Sequence, residues 1–127
     1  MWSSAMKQLS EVPWNMSKTL EQLGGDLTLF QEVMDIFLAE APIHLAALRV
    51  AVERGQAETV ERTAHTLKGE LGYLGIPGIS QTASQIEEMG RSNNLGGAAN
   101  LLAQFETEMN GLLTAIRSAK ALAWKST

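Results

Sequence analysis

The chain has 127 residues, a net charge of −4 and a pI near 5.1, with no cysteine and two histidines. That length fits one domain, the missing cysteines exclude disulfides and thiolate metal sites, and the acidic balance argues against nucleic acid or an anionic membrane as the main partner. No apolar run reaches the roughly 18 residues of a membrane span, and the amino terminus, with Lys7 as its early positive charge and no apolar core, lacks a signal-peptide pattern, so a cytoplasmic protein is expected.

Residues 1–14 have no clear periodicity and contain Pro13, which predicts a linker or a loosely docked arm. A short helix is expected from about Ser17 to Leu23, stopped by Gly24 and Gly25. Asp26 then suits an N-cap, because its carboxylate can accept an orphan backbone N–H. Phe30, Val33, Met34, Phe37 and Ala41 keep a helical stripe. Pro42 removes a backbone donor and predicts a kink or break there, with Leu45, Leu48 and Val52 carrying the stripe on to Gly55.

The next helix, from about Ala57 to Leu74, places Val60, Ala64, Leu67, Leu71 and Leu74 on one core-facing stripe. His65 falls on the far side, facing solvent. Arg62 and Lys68, one turn back and one turn on, are its neighbours on the helix surface, and Glu61 lies at i−4. Gly69 and Gly72 share the histidine's face. Each mid-helix glycine costs about 1 kcal/mol relative to alanine, so the pair predicts a face kept bare for the approach of another surface. Glu70 points away from His65 by helical angle.

Gly75-Ile76-Pro77-Gly78 is a breaker. A further helix from Ile79 to about Gly90 turns Ile79, Ala83, Ile86 and Met89 inward. Ser92-Asn93-Asn94 and Gly96-Gly97 interrupt again. The last helix, about Ala98 to Ala121, has Leu101, Leu102, Phe105, Met109, Leu112, Leu113 and Ile116 as its apolar face, and residues 122–127 form a tail. With no alternating strand pattern and no repeat, the expected fold is all-α: an antiparallel four-helix bundle with a short extra N-terminal helix.

The chemistry centres on His65. A neutral imidazole offers a ring-nitrogen lone pair that can attack a phosphoryl group. Lys68 and Arg62 can offset the incoming negative charge, whereas Glu61 would repel it. His44 has no partner at ligand spacing and reads as a plain surface or half-buried residue. A carboxylate-bridged metal site in a bundle needs two inward Glu-x-x-His pairs; neither histidine follows a glutamate at that spacing, so no metal is expected. There is no Gly-x-Ser-x-Gly elbow and no phosphate-binding Gly-x-x-x-x-Gly-Lys-Ser/Thr loop, so neither a serine nucleophile nor a bound nucleotide cofactor is expected.

His65-Thr66-Leu67-Lys68-Gly69, closed by Gly75, resembles the signature of histidine-containing phosphotransfer (HPt) domains. Leu23-Gly24-Gly25-Asp26, then Phe37-Leu38-Ala39-Glu40-Ala41-Pro42, then Ile86-Glu87 are similar to the family's flanking pattern in order and spacing. The resemblance covers roughly residues 12–118, with an HPt domain expected at 15–121; Glu70 departs from the family's usual small residue. It implies a relay in a multistep two-component phosphorelay, in which His65 accepts phosphate from a receiver-domain aspartate and passes it on. It also implies that the Mg²⁺ and catalytic residues belong to the partner, so the chain is a phosphocarrier rather than an enzyme. Glu87 and Arg91 fall where the family often has an acidic or amide residue facing the histidine and a basic residue one turn later. The alternatives are the phosphoacceptor domain of a chemotaxis-type histidine kinase and an interaction module that is never phosphorylated. A single docking face predicts a monomer whose partners are response-regulator receivers, a histidine kinase, or both.

Overall fold

The computed structural model describes residues 16–121, so the arm expected at 1–14 and the tail at 122–127 lie outside the described residues. Five helices follow in order: α1 Met16–Gln22, α2 Leu27–Glu53, α3 Ala57–Gly72, α4 Pro77–Arg91 and α5 Ala98–Ala119. No strand occurs among the described residues. The last four helices form a ring, α2 on α3, α3 on α4, α4 on α5 and α5 back on α2, with α1 set against α2. Ion pairs from Arg49 to Glu106 and from Lys120 to Asp35 give the register of α2 against α5: as numbers rise along one helix they fall along the other.

The predicted stripes are the core. Phe30, Met34, Phe37, Ala41, Leu45 and Leu48 of α2 are buried, as are Val60, Ala64, Leu67 and Leu71 of α3, and Ile79, Ala83 and Ile86 of α4. On α5, Leu102, Phe105, Met109, Leu112, Leu113 and Ile116 close the bundle. Val33, Val52, Met89 and Leu101 are only half-buried at its margins. Asp26 caps α2 as expected, its Oδ1 accepting the Leu29 N–H at 3.0 Å.

Pro42 does not break α2, which runs unbroken through it from Leu27 to Glu53. A proline inside a helix costs about 3 kcal/mol. Each large apolar side chain buried against the neighbouring helices contributes roughly 1.5–3 kcal/mol. Phe37 and Met34 before the proline and Leu45 and Leu48 after it are all buried on one side. Breaking the helix would withdraw one of these groups, so packing wins over the lost hydrogen bond.

Two details fix the end of α3. The buried Thr19 hydroxyl on α1 donates to the Leu74 carbonyl at 2.8 Å. Gly75 then turns the chain at φ +66°, a left-handed value that costs glycine little, and Pro77 opens α4 where its missing N–H is harmless. The reversal sends α4 back along α3 and brings residues some twenty positions apart in sequence face to face.

Candidate functional site

The site sits on the seam between α3 and α4. The α3 stripe packs inward, so His65, one residue past Ala64, is carried to the surface with its side chain 69% exposed. On α4, Glu87 follows the fully buried Ile86 and points into the seam, where its side chain is 5% exposed. His65 Nδ1 lies 2.8 Å from Glu87 Oε2. Lys68 Nζ donates to Glu87 Oε1 at 2.6 Å, and Arg91 Nη2 donates to Oε2 at 3.1 Å. One sheltered carboxylate therefore receives three donors from two helices.

That arrangement decides the state of the carboxyl. Burial is the largest single influence and pushes its pKa up; the hydrogen bonds from Lys68 and His65, with the charges behind them, together outweigh it and hold it below the ordinary 4.5. An ionised carboxylate only accepts hydrogen bonds. So Nδ1 of His65 donates, and in the neutral ring the lone pair resides on Nε2, the nitrogen this contact leaves unengaged.

The linkage has a definite sign. A folded-state value below 4.5 means that the unfolded chain takes up the proton first, so the Glu87 contribution is present above pH 4.5 and is lost as pH falls through the lower folded value. Glu87→Gln should therefore show a shallower fall in melting temperature than the parent between about pH 5 and pH 3. Parallel acid limbs for the two proteins would mean that the carboxylate is not held in this way.

The remaining charges arrange themselves around this pair. Arg91 Nε bonds Glu61 at 3.2 Å and Nη1 bonds Glu88 at 2.7 Å, so the carboxylate at i−4 of the histidine is held by a guanidinium from the facing helix. Arg62 lines the same shallow depression as His65, Glu58, Glu61, Glu87 and Arg91 but does not join the hydrogen-bonded cluster. Gly69 and Gly72 are exposed, and a Cβ added to either would meet nothing within 4 Å. The bare face expected from the sequence is open space.

Three features had no clear signal in the sequence. Gly90 is buried, and a Cβ there would lie 2.6 Å from the Glu61 nitrogen and 2.7 Å from the Ala57 carbonyl oxygen. The two helix backbones therefore touch one turn from Glu87. A glycine inside a helical pattern was the available hint. The Arg91–Glu61 pairing needed the register of α4 on α3, which no local period supplies. His44 is half-buried as expected, but its Nδ1 lies 2.7 Å from Glu70 Oε1. The carboxylate that helical angle turned away from His65 is thus spent on bridging α3 to α2. Among the described residues no group of His, Asp and Glu side chains could hold a metal ion, and no helix is long and apolar enough to cross a membrane.

The family model of the Hpt domain matches residues 32–119. Among solved structures, histidine-containing phosphotransfer protein B from Pseudomonas aeruginosa PAO1 superposes with a TM-score of 0.78 at 22% identity, covering 86% of this chain and 95% of that one. The HPT domain of a sensor hybrid histidine kinase from Shewanella gives 0.77 at 19% identity, covering 86% and 94%. No protein of curated function is significantly similar in sequence. At those identities the two structures establish the shared fold, and the family model, spanning well over half the residues, establishes the kinship: the chain belongs to the histidine-containing phosphotransfer (Hpt) domain family of two-component signalling.

Proposed function

We propose that the chain relays phosphate in a multistep phosphorelay, with Nε2 of His65 as the atom that carries it. The observation behind this reading is the 2.8 Å contact between His65 Nδ1 and the buried Glu87. It leaves the lone pair on Nε2, above a helix face emptied of side chains by Gly69 and Gly72. Nε2 attacks the phosphorus of a receiver's aspartyl phosphate, the N–P bond forms, and the P–O bond to the aspartate breaks with that carboxylate leaving. The ring becomes cationic as the bond forms, and Glu87, accepting the Nδ1 hydrogen, stabilises that charge where it develops. Lys68 has three N–H donors and gives one to Glu87, so its ammonium can also turn to a phosphoryl oxygen. Arg62 is a second cation at the same depression. Arg91 offsets Glu61, which would otherwise repel the incoming group. The Mg²⁺ and the acid–base groups of the transfer belong to the receiver, and residues 15–121 form the functional unit.

The test is incubation with a phosphorylated receiver domain and, separately, with a histidine kinase and ATP, followed by detection of acid-labile phosphate on this chain. Labelling from the receiver supports the relay. Labelling from the kinase alone makes the chain a kinase phosphoacceptor, and none from either would leave an interaction module.

The glycine face gives a second, more specific expectation. Gly69→Ala should stabilise the protein by up to about 1 kcal/mol, because alanine suits helical dihedrals, restricts the unfolded chain and meets no neighbour. Gly69→Gln should also fold, yet accept phosphate slowly, since its side chain stands in the receiver's approach path. Melting curves and transfer rates should thus move in opposite directions. A stabilised Gln variant with full activity would show that nothing docks over that face.

A further inference from the structure

Among the described residues, six large apolar side chains are left exposed, and four of them stand on α2 at intervals of seven: Leu29, Ile36, Ile43 and Val50, between 40% and 67% exposed. The inner side of α2 is already apolar and buried, through Phe30, Met34, Phe37, Ala41, Leu45 and Leu48. The second stripe is therefore on the outward side of the same helix, with Ile36 at its edge also lining a depression beside Glu70 of α3 and the C-cap residue Tyr73. A surface helix ordinarily turns charged and polar residues outward, and a contiguous exposed apolar stripe marks a contact surface. Ala39 and Ala46, three residues beyond Ile36 and Ile43, are exposed as well. The result is a row of branched ridges with alanine hollows between them, at the seven-residue repeat by which one helix packs along another.

We propose that this outer face of α2 pairs with the same face of a second copy of the chain, the two helices running antiparallel about a two-fold axis. Charge selects both the occupant and the direction. The first half of α2 carries Glu32, Asp35 and Glu40, while the second half carries Arg49 with Glu53, and the helix is capped by Arg54. Asp35 and Arg49 are already held by Lys120 and Glu106. Glu32, Glu40 and Arg54 have no ion-pair partner among the described residues. A reversed second copy lays the acidic half of one helix on the basic end of the other, whereas a parallel copy stacks acid on acid. With Ile43 at the axis, Ile36 meets Val50 of the second copy and Glu32 meets its Arg54, and the two-fold repeats both contacts.

At 1.5 Å per residue the 27 residues of α2 span about 40 Å, long enough for the whole stripe to be covered. Four large side chains make a small interface, in the class of weak and reversible contacts. The expectation of a monomer rested on a single docking face, and this is a second one. His65 lies on the α3–α4 seam, whereas the stripe stands on α2, where Ile36 also lines a depression with Glu70 and Tyr73. The inference does not depend on the proposed relay.

Sedimentation of the full chain from micromolar to near-millimolar concentration tests it. The wild type should rise with concentration toward twice the monomer mass. Ile43→Glu and Ile36→Glu should stay monomeric with unchanged melting and unchanged phosphate uptake. Glu32→Arg should weaken the dimer, and Glu32→Arg combined with Arg54→Glu should restore it, since the swap returns opposite charges to the facing positions. A wild type that remains monomeric throughout overturns the proposal, as does a dimer indifferent to Ile43→Glu. Two further outcomes overturn it and name another occupant. A wild type that stays monomeric while Ile43→Glu loses phosphate uptake would assign the stripe to the receiver. A wild type that stays monomeric while that variant shifts its tryptophan emission, its three tryptophans (Trp2, Trp14 and Trp124) all lying outside the described residues, would assign it to a terminal segment of the same chain.

Discussion

His65→Gln should take up no acid-labile phosphate from a phosphorylated receiver, while melting within roughly 2 °C of the parent. The loss is complete because no other group near the seam combines an unengaged ring nitrogen with an open approach. Stability is spared because the side chain is 69% exposed and anchors nothing in the core. Removing it does not strand the buried carboxylate, for Glu87 keeps Lys68 and Arg91 as donors. His44 supplies the control. Its imidazole is likewise held by a glutamate, Glu70, at 2.7 Å, but on the α2–α3 side, away from the bare glycine face. His44→Gln should be phosphorylated at the parent rate. If His44→Gln lost the label and His65→Gln kept it, the acceptor would have been assigned to the wrong seam.

Gly90→Ala should cost about 2–3 kcal/mol, a fall in melting temperature of roughly 10 °C for a chain of this length. The added carbon would sit 2.6 Å from the Glu61 nitrogen and 2.9 Å from its Cα. These are backbone atoms, which cannot rotate aside as a side chain could, so α3 and α4 must separate. The same substitution at Gly69 meets open space and is expected to stabilise. Glycine to alanine on two neighbouring helices should therefore change stability in opposite directions. Because the α3–α4 spacing also sets the reach from Glu87 to His65, the surviving folded Gly90→Ala should accept phosphate more slowly even well below its melting point. An unchanged melting temperature would mean that the helices do not approach as closely as this.

The helices and their inward faces could be read from local information. The 3.6-residue period of Val60, Ala64, Leu67 and Leu71 is a property of neighbours in the chain, and all four are buried. The same angular reasoning put His65 outside and turned Glu70 away from it, and it recognised the Asp26 cap because that carboxylate needs only the amide three residues on. At Pro42 the local rule allowed a break that does not occur. Its penalty is local, but the burial that outweighs it comes from helices elsewhere in the sequence.

Everything that makes His65 more than an exposed histidine depends on register between helices. Spacing and family pattern could point to Glu87 and Arg91 as residues of interest. They could not say that Glu87 is buried, that it bridges Lys68 and the imidazole, or that Arg91 reaches across to Glu61. A helical period is indifferent to how far one helix slides along another. That offset is settled by packing summed over the whole seam, here with Gly90 as the point where the backbones touch. A slide of one turn would leave every stripe amphipathic and every helix intact, and would separate the carboxylate from the histidine.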